Sequence, residues 1–461
     1  MVKIINKQEL LNDAFSQNNR KIREIALNTI EILLDAVDPK KIIKSKVKLC
    51  ENLLLVENEE FNLTHYKKVI VVGGGKASGY MAEALEEILG NYITKGLIVV
   101  PKGTSKRHKT KKIKILEASH PVPDKNSIKG AKRILNLVKK VKEDDLVICL
   151  FSGGGSSLIA LPKEGISLRD KKKVTNMLLK CGATINEINT IRKHLSSFKG
   201  GQLAKAAYPA TILSLLLSDV LGDPTDVIAS GPTVPDSTTF SDAIYILKKY
   251  EIWEKIPNSI RVIFRNGELG LIEETPKKND EIFQKVKNVI LGNNRLACQA
   301  AINTLAGYGL KTLFLSSFME CEAREFGAML GALVKEIFSS GNPLSPPAGI
   351  VIGGETTVTV TGNGKGGRNQ EIALSAALRI EGNDDVVIVS ISTDGIDGPT
   401  DTAGALVDGE TIRRSRKLKL DAIEYLKNND SYSFFSQVGG LVITGPTGTN
   451  VNDITIVIAY R

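Results

Sequence analysis

Residues 145–157, DLVICLFSGGGSS, set an unbroken apolar run directly against three glycines and two serines. A strand with one wet face alternates apolar and polar residues, whereas a strand covered on both faces reads as a continuous apolar run. The same construction appears in KVIVVGGG (68–75), GLIVVPKG (96–103) and TILSLLLSDVLGD (211–223), with the helical stretches AEALEEILG and AKRILNLVKKV between them. Apolar strands alternating with helices predict an α/β, Rossmann-like, mainly parallel sheet with helices on both faces. Ligands on such sheets bind beyond the carboxyl ends of the strands, which is where the glycines, serines and aspartates of these runs fall.

Working outward, IREIALNTIEILLDAV (22–37) repeats its apolar positions at helical spacing, so helices open the chain. A second set of strand and helix signals begins at KNVILGNNRLACQAAINTL (287–305) and continues through TLFLSS, GIVIGGETTVTVTG, VVIVSISTDG and LVITGPTGTN. At 461 residues the chain is longer than one core normally supports. The polar stretch 237–284 between the two sets predicts a boundary there, giving an N-terminal domain over 1–284 and a C-terminal one over 285–461. The last strand, ITIVIAY (454–460), fits either domain.

Composition narrows the function classes. No apolar run approaches the roughly 20 residues of a membrane span, and the N-terminus has no signal-peptide core, so a cytoplasmic protein without membrane partners is expected. Five cysteines without CxxC spacing predict neither disulfide nor zinc site. The net charge of +10 is concentrated in patches such as KGTSKRHKTKKIK (102–114), which lack aromatic residues for stacking bases. A solvated basic face, and no nucleic-acid partner, is the expectation; a homo-oligomer stays open.

The motifs at the strand ends carry the chemistry. In GGGKAS (73–78), Gly74, Gly75 and Ser78 surround Lys76, which can reach an anion held against a helix start. It is not a Walker loop, because Ile70 and Ala77 stand where glycine and Ser/Thr are required. In SGGGSS, Ser152, Gly153, Gly154, Gly155, Ser156 and Ser157 offer backbone amides and hydroxyls to a phosphate. In SDVLGDP (218–224), Asp219 and Asp223 would repel phosphates unless a divalent cation or a proton transfer is involved; a cap or Asx turn is the competing reading. GGETTVTVTGNGKGGRNQE (353–371) holds a GxGxxG at Gly362, Gly364 and Gly367. The alternating TTVTVT before it reads as a half-exposed antiparallel strand, which speaks against a dinucleotide fingerprint. That leaves Lys365 and Arg368 at a helix start, with Arg368 able to fork onto a carboxylate or phosphate. STDGIDGPTDTAGA (392–405) puts Asp394 at a strand end in a chemical role, while Asp397 and Asp401 read as turn or cap residues.

Taken in order with SGPTVPD (230–236) and GPTGTNVND (445–453), these motifs resemble the glycerate 2-kinases, a family with an N-terminal glycerate-kinase domain and a C-terminal MOFRL domain. The resemblance implies ATP-dependent phosphorylation of D-glycerate at its 2-hydroxyl with Mg2+. It also implies a mixed sheet in the second α/β domain and an active site in a cleft between the two. It places nucleotide phosphate on the glycine-serine loop and Lys365, assigns Lys76 and Arg368 to phosphate and substrate carboxylate, and gives the proton or the metal to Asp394, Asp219 or Asp223. The competing expectations are an NAD(P)-dependent hydroxypyruvate reductase, a name that such proteins have carried, and a non-catalytic nucleotide or sugar-acid sensor.

Overall fold

The computed structural model describes residues 2–460. The chain forms two compact units: residues 39–291, and the residues up to Asp38 together with those from Gly292 onward.

The first unit opens with a small antiparallel sheet of β1 (Val47–Cys50), β2 (Leu53–Val56) and β3 (Glu59–Asn62). Its main sheet contains β4 (Lys68–Gly74), β5 (Ile93–Pro101), β6 (Ile113–Ala118), β7 (Asp145–Phe151), β8 (Thr211–Leu217) and β9 (Val286–Gly292). The six strands lie in the order β6-β5-β4-β7-β8-β9, and the pairs from β6 to β8 are parallel. Every residue of β7 is buried, as its unbroken apolar run requires. The order follows from the path of the chain. It builds outward from β4 to β6, returns to the other side of β4 to lay down β7, and proceeds outward again. The sheet's topological switch point therefore lies between β4 and β7.

The second unit carries a mixed sheet of β10 (Lys311–Met319), β11 (Ala348–Gly354), β12 (Val386–Ser392), β13 (Gly404–Asp408), β14 (Leu441–Val442) and β15 (Asp453–Ala459), ordered β10-β11-β15-β12-β13-β14. Only β10 and β11 pair in parallel; β15 runs antiparallel to both β11 and β12 at the centre. The last strand thus belongs to the second unit, which it completes.

Three expectations change. Residues 237–284 contain no boundary: the helices Phe240–Lys249 and Asn258–Glu268 bury Phe240, Leu247, Ile260 and Phe264 in a core shared with Val174, Leu178 and Ile188 of the first unit. The opening helices also divide differently, because the helix Gln17–Ala36 belongs to the second unit. Its fully buried Arg23 donates from Nε to Asp408 Oδ2 at the end of β13, 3.1 Å away, and from Nη1 to Leu10 O. Helical periodicity reveals that a face is buried but not which sheet covers it.

The alternating stretch TTVTVT forms no ladder strand either. Its one bridge joins Thr357 to Glu322, with Thr357 N donating to Cys321 O, and two of its other amides turn to side chains. Thr359 N donates to Glu322 Oε1, while Thr361 N and Gly362 N share Asn429 Oδ1. Those donors are satisfied by side chains rather than by a neighbouring strand.

Candidate active site

The two glycine loops leave the carboxyl ends of adjacent strands at the switch point, and they are built against each other. Lys76 N donates to Gly153 O at 2.8 Å, and Ala77 N donates to Ser152 Oγ at 3.0 Å. Ser78 Oγ lies 3.2 Å from the same Ser152 hydroxyl, and both serines are buried. The hydroxyls of Ser78 and Ser152, expected on a phosphate, therefore knit the loops together. Ser152 supplies the helix Ser78–Leu89 with the acceptor that its Ala77 N-cap lacks. Gly75 makes the approach possible: at φ +154° its Cα faces Ser152, and a Cβ there would stand 2.1 Å from Ser152 Oγ and 2.6 Å from Ser152 O. Gly74 ends β4 with its carbonyl beside Gly155. A Cβ on Gly154 would lie 3.4 Å from Lys76 Cγ and 2.8 Å from His120 Cδ2, so both side chains close over that glycine.

His120 was not foreseen as a site residue, although a signal was present. It is one of only four histidines and follows β6 at the same sheet edge as the glycine loops.

A third loop closes on this pair. Ala229, Ser230 and Gly231 follow one another at φ +50°, +61° and +60°, a run of left-handed backbone in which two residues carry side chains. Such strain persists only where the surroundings hold it, and it concentrates at functional sites. Here Ser230 Oγ sits 2.7 Å from Ser156 Oγ and 3.3 Å from Asn189 Oδ1. Ser157 turns inward, donating to Gly154 O. Between β8 and this loop lie Asp219 and Asp223, both partly exposed, with Asp223 at φ +58°.

In the second unit Arg368 begins the helix Arg368–Ile380. The fork expected to meet an incoming carboxylate or phosphate meets Asp453 instead: Nη2 donates to Oδ1 at 3.1 Å and Nε pairs with Oδ2, while Nη1 holds Glu355 Oε1 at 2.8 Å. Burial pushes the Asp453 carboxyl up to about 7; the Arg368 charge and hydrogen bonds pull it back, and the nearby Asp397 and Glu355 charges add to the rise. Asp453 and Glu355 were missed because each stands alone at a strand end, 85 and 13 residues from the arginine that organises them.

The GNGKGG loop is occupied by the chain itself. Asp397 reaches over Gly367 to the helix start, where its carboxylate accepts from Asn369 N and Nδ2, each at 3.1 Å, and from Gln370 N and Nε2 at 2.9 and 3.0 Å. A Cβ on Gly367 would lie 2.2 Å from Asp397 Cγ, so only glycine admits the acid. The positive pole of the helix is thus spent on an internal cap, as read for Asp397, and offers no seat for a pyrophosphate. Lys365 lies 4.0 Å from the ring centre of Tyr432, whose hydroxyl donates to Asp401. Asp394 Oδ1 accepts from Ser392 Oγ and Ile396 N in an Asx turn. Among the described residues no three His, Cys, Asp or Glu side chains gather as a metal cluster.

Residues 25–265 match a family described as a domain of unknown function (DUF4147), and residues 348–453 match the MOFRL family. The glycerate 2-kinase of Pyrococcus horikoshii is 45% identical, with 95% of this chain and 97% of that protein covered. The D-glycerate 2-kinase of Thermotoga maritima is 43% identical over 94% of this chain and 98% of its own. A crystal structure of glycerate kinase from Thermotoga maritima superposes with a TM-score of 0.84 over 95% of this chain and 99% of that one, at 43% identity.

Proposed function

The chain belongs to the glycerate kinase family, and from that premise we propose that it transfers the terminal phosphoryl group of ATP to the 2-hydroxyl of D-glycerate. In this reaction the alcohol oxygen bonds to the γ-phosphorus as the bond to the β,γ-bridging oxygen breaks. ADP leaves, and the hydroxyl proton passes to a base. Positioning and charge neutralisation supply most of the rate in such transfers.

One observation carries the reading. Both glycine loops leave adjacent parallel strands at the switch point of the sheet, locked to each other, with Lys76 packed on Gly154 between them. Backbone amides of Gly153, Gly154 and Gly155 are proposed to receive phosphate oxygens, and Lys76 to neutralise them. Ser156 is proposed to orient the phosphate through its contact with Ser230, and Lys365 to remain peripheral. Arg368 is proposed to hold the Asp453 carboxylate in place. Magnesium suits the available donors, since it keeps several waters and takes one or two carboxylates with phosphate oxygens. Asp219 and Asp223 would hold it, and it would screen charge on the nucleotide when bound.

The test is ADP release by the full chain with MgATP, with and without D-glycerate, beside NADH consumption with hydroxypyruvate. Glycerate-dependent ADP release is expected. NADH oxidation without ADP release would replace the kinase by the reductase.

A further inference from the structure

The first unit holds three basic side chains, two on helices and one in a loop, that no acid answers. Lys171 lies on the helix Leu168–Lys180, Arg192 on the helix Ile185–His194, and Lys199 in the loop that follows. Lys171 is 6% exposed and Lys199 2%, while Arg192 is half-buried. Among the described residues, the Lys171 ammonium has no hydrogen-bond partner, and the Arg192 guanidinium makes neither hydrogen bond nor ion pair. Lys199 Nζ has a single long bond, 3.4 Å, to Ala229 O.

The charges acting on these groups are one another's. Burial and then Arg192 push Lys171 down to about 7, and burial, Lys171 and Arg192 push Lys199 well below the usual lysine range. No carboxylate figures in either case. The neighbouring Lys193 shows that this fold can pair a buried lysine: its Nζ lies 2.9 Å from Asp226 and 3.4 Å from Asp236. An unpaired buried cation is costly, and three together more so.

The position of the cluster gives the cost a purpose. Lys199 reaches Ala229, the first residue of the left-handed run, and a Cβ on Gly155 would lie 2.9 Å from Ala229 Cβ. Arg192 shares its helix with Asn189, which holds Ser230. Lys199 therefore stands behind the wall that the glycine loop faces, and Arg192 lies one helical turn from the asparagine that holds it.

We propose that Lys171, Arg192 and Lys199 form a binding site for a phosphate group, the dianion that supplies the charge the cluster lacks. A phosphate offers oxygens enough for two ammonium groups and a guanidinium fork, and its charge balances the cluster better than a single carboxylate does. The phosphate belongs either to a nucleotide or phosphorylated product, or to free inorganic phosphate. The proposal deepens the phosphotransfer reading but is tested without turnover.

The experiment is thermal unfolding of the full chain in potassium phosphate against potassium chloride at equal ionic strength, for wild type, K171M and K199M. Phosphate is expected to raise the wild-type melting temperature in proportion to the logarithm of its concentration. In chloride K171M is expected to melt above wild type, and its response to phosphate to disappear. Steady-state kinetics then separate the sources. A rise of tenfold or more in KM for ATP with K171M assigns the nucleotide phosphate, and an unmoved KM with lost phosphate protection assigns the free anion; both support the site. Equal phosphate shifts in wild type and K171M, or none in either, overturn it. Protection by D-glycerate alone overturns the choice of phosphate. Protection without kinase activity counts against the reaction and leaves the site standing.

Discussion

Replacing Asp397 by alanine should cost the second unit a large share of its stability without touching the glycine loops. The carboxylate accepts four hydrogen bonds at the start of the helix Arg368–Ile380 and is 1% exposed. Gln370 Nε2 keeps Thr400 and Thr402 as alternative acceptors, so three donors, Asn369 N, Asn369 Nδ2 and Gln370 N, lose their partner. At about 1–3 kcal/mol for each buried donor left unsatisfied, less some relief from entering water, the loss is about 4 kcal/mol. For a unit of this size each kcal/mol moves the midpoint by about 2–4 °C, so a fall of about 8–16 °C is expected in its calorimetric transition. Asp397→Asn keeps one acceptor but turns an amide group toward donors, and should lose about half as much. Asp401→Ala, an exposed neighbour, should barely move the transition. A D397A transition within about 2 °C of wild type would refute the assignment of Asp397 as the helix cap.

Three further outcomes follow from the same geometry. Gly75→Ala forces a Cβ into the Ser152 backbone at a left-handed φ, so a loss of at least roughly 3 kcal/mol is expected, read as poor yield or a strongly lowered melting temperature. Lys76→Met should lower kcat/KM roughly 100- to 1,000-fold while leaving the melting temperature within about 2 °C of wild type. Because the Asp453 carboxyl is raised to about 7 in the folded chain, its contribution to stability is full below pH 4 and lost as pH rises through 7, by as much as roughly 4 kcal/mol at about 1.4 kcal/mol per unit. The stability of wild type relative to Asp453→Asn should therefore fall between pH 4 and 8 in denaturant titrations; a flat difference contradicts the raised carboxyl.

The parallel sheet was legible because β4, β7, β8 and the GLIVV part of β5 are buried on both faces and read as dominantly apolar runs. The strand order and its switch point were not, since order depends on contacts between distant segments. TTVTVT carried the alternation of a strand, yet its amides found Glu322 and Asn429, partners 37 and 68 residues away. The glycine loops could be found as anion seats, but not the division of labour inside them, where Ser78 and Ser152 serve each other. Arg368 was recognisable as a forked donor; that its fork belongs to Asp453 depends on β15 lying at the centre of the second sheet. The buried cations at Lys171 and Lys199 were invisible for a simple reason: lysine on an amphipathic helix reads as solvated until the fold shows what covers it.

Phosphoryl transfer to the 2-hydroxyl is read directly in a phosphorus NMR spectrum of the purified chain incubated with D-glycerate, ATP and magnesium, which reports both transfer and the hydroxyl that receives it. The expected spectrum shows ADP and 2-phosphoglycerate growing together. ATP left intact, or a phosphoryl group on the 3-hydroxyl, would contradict the account.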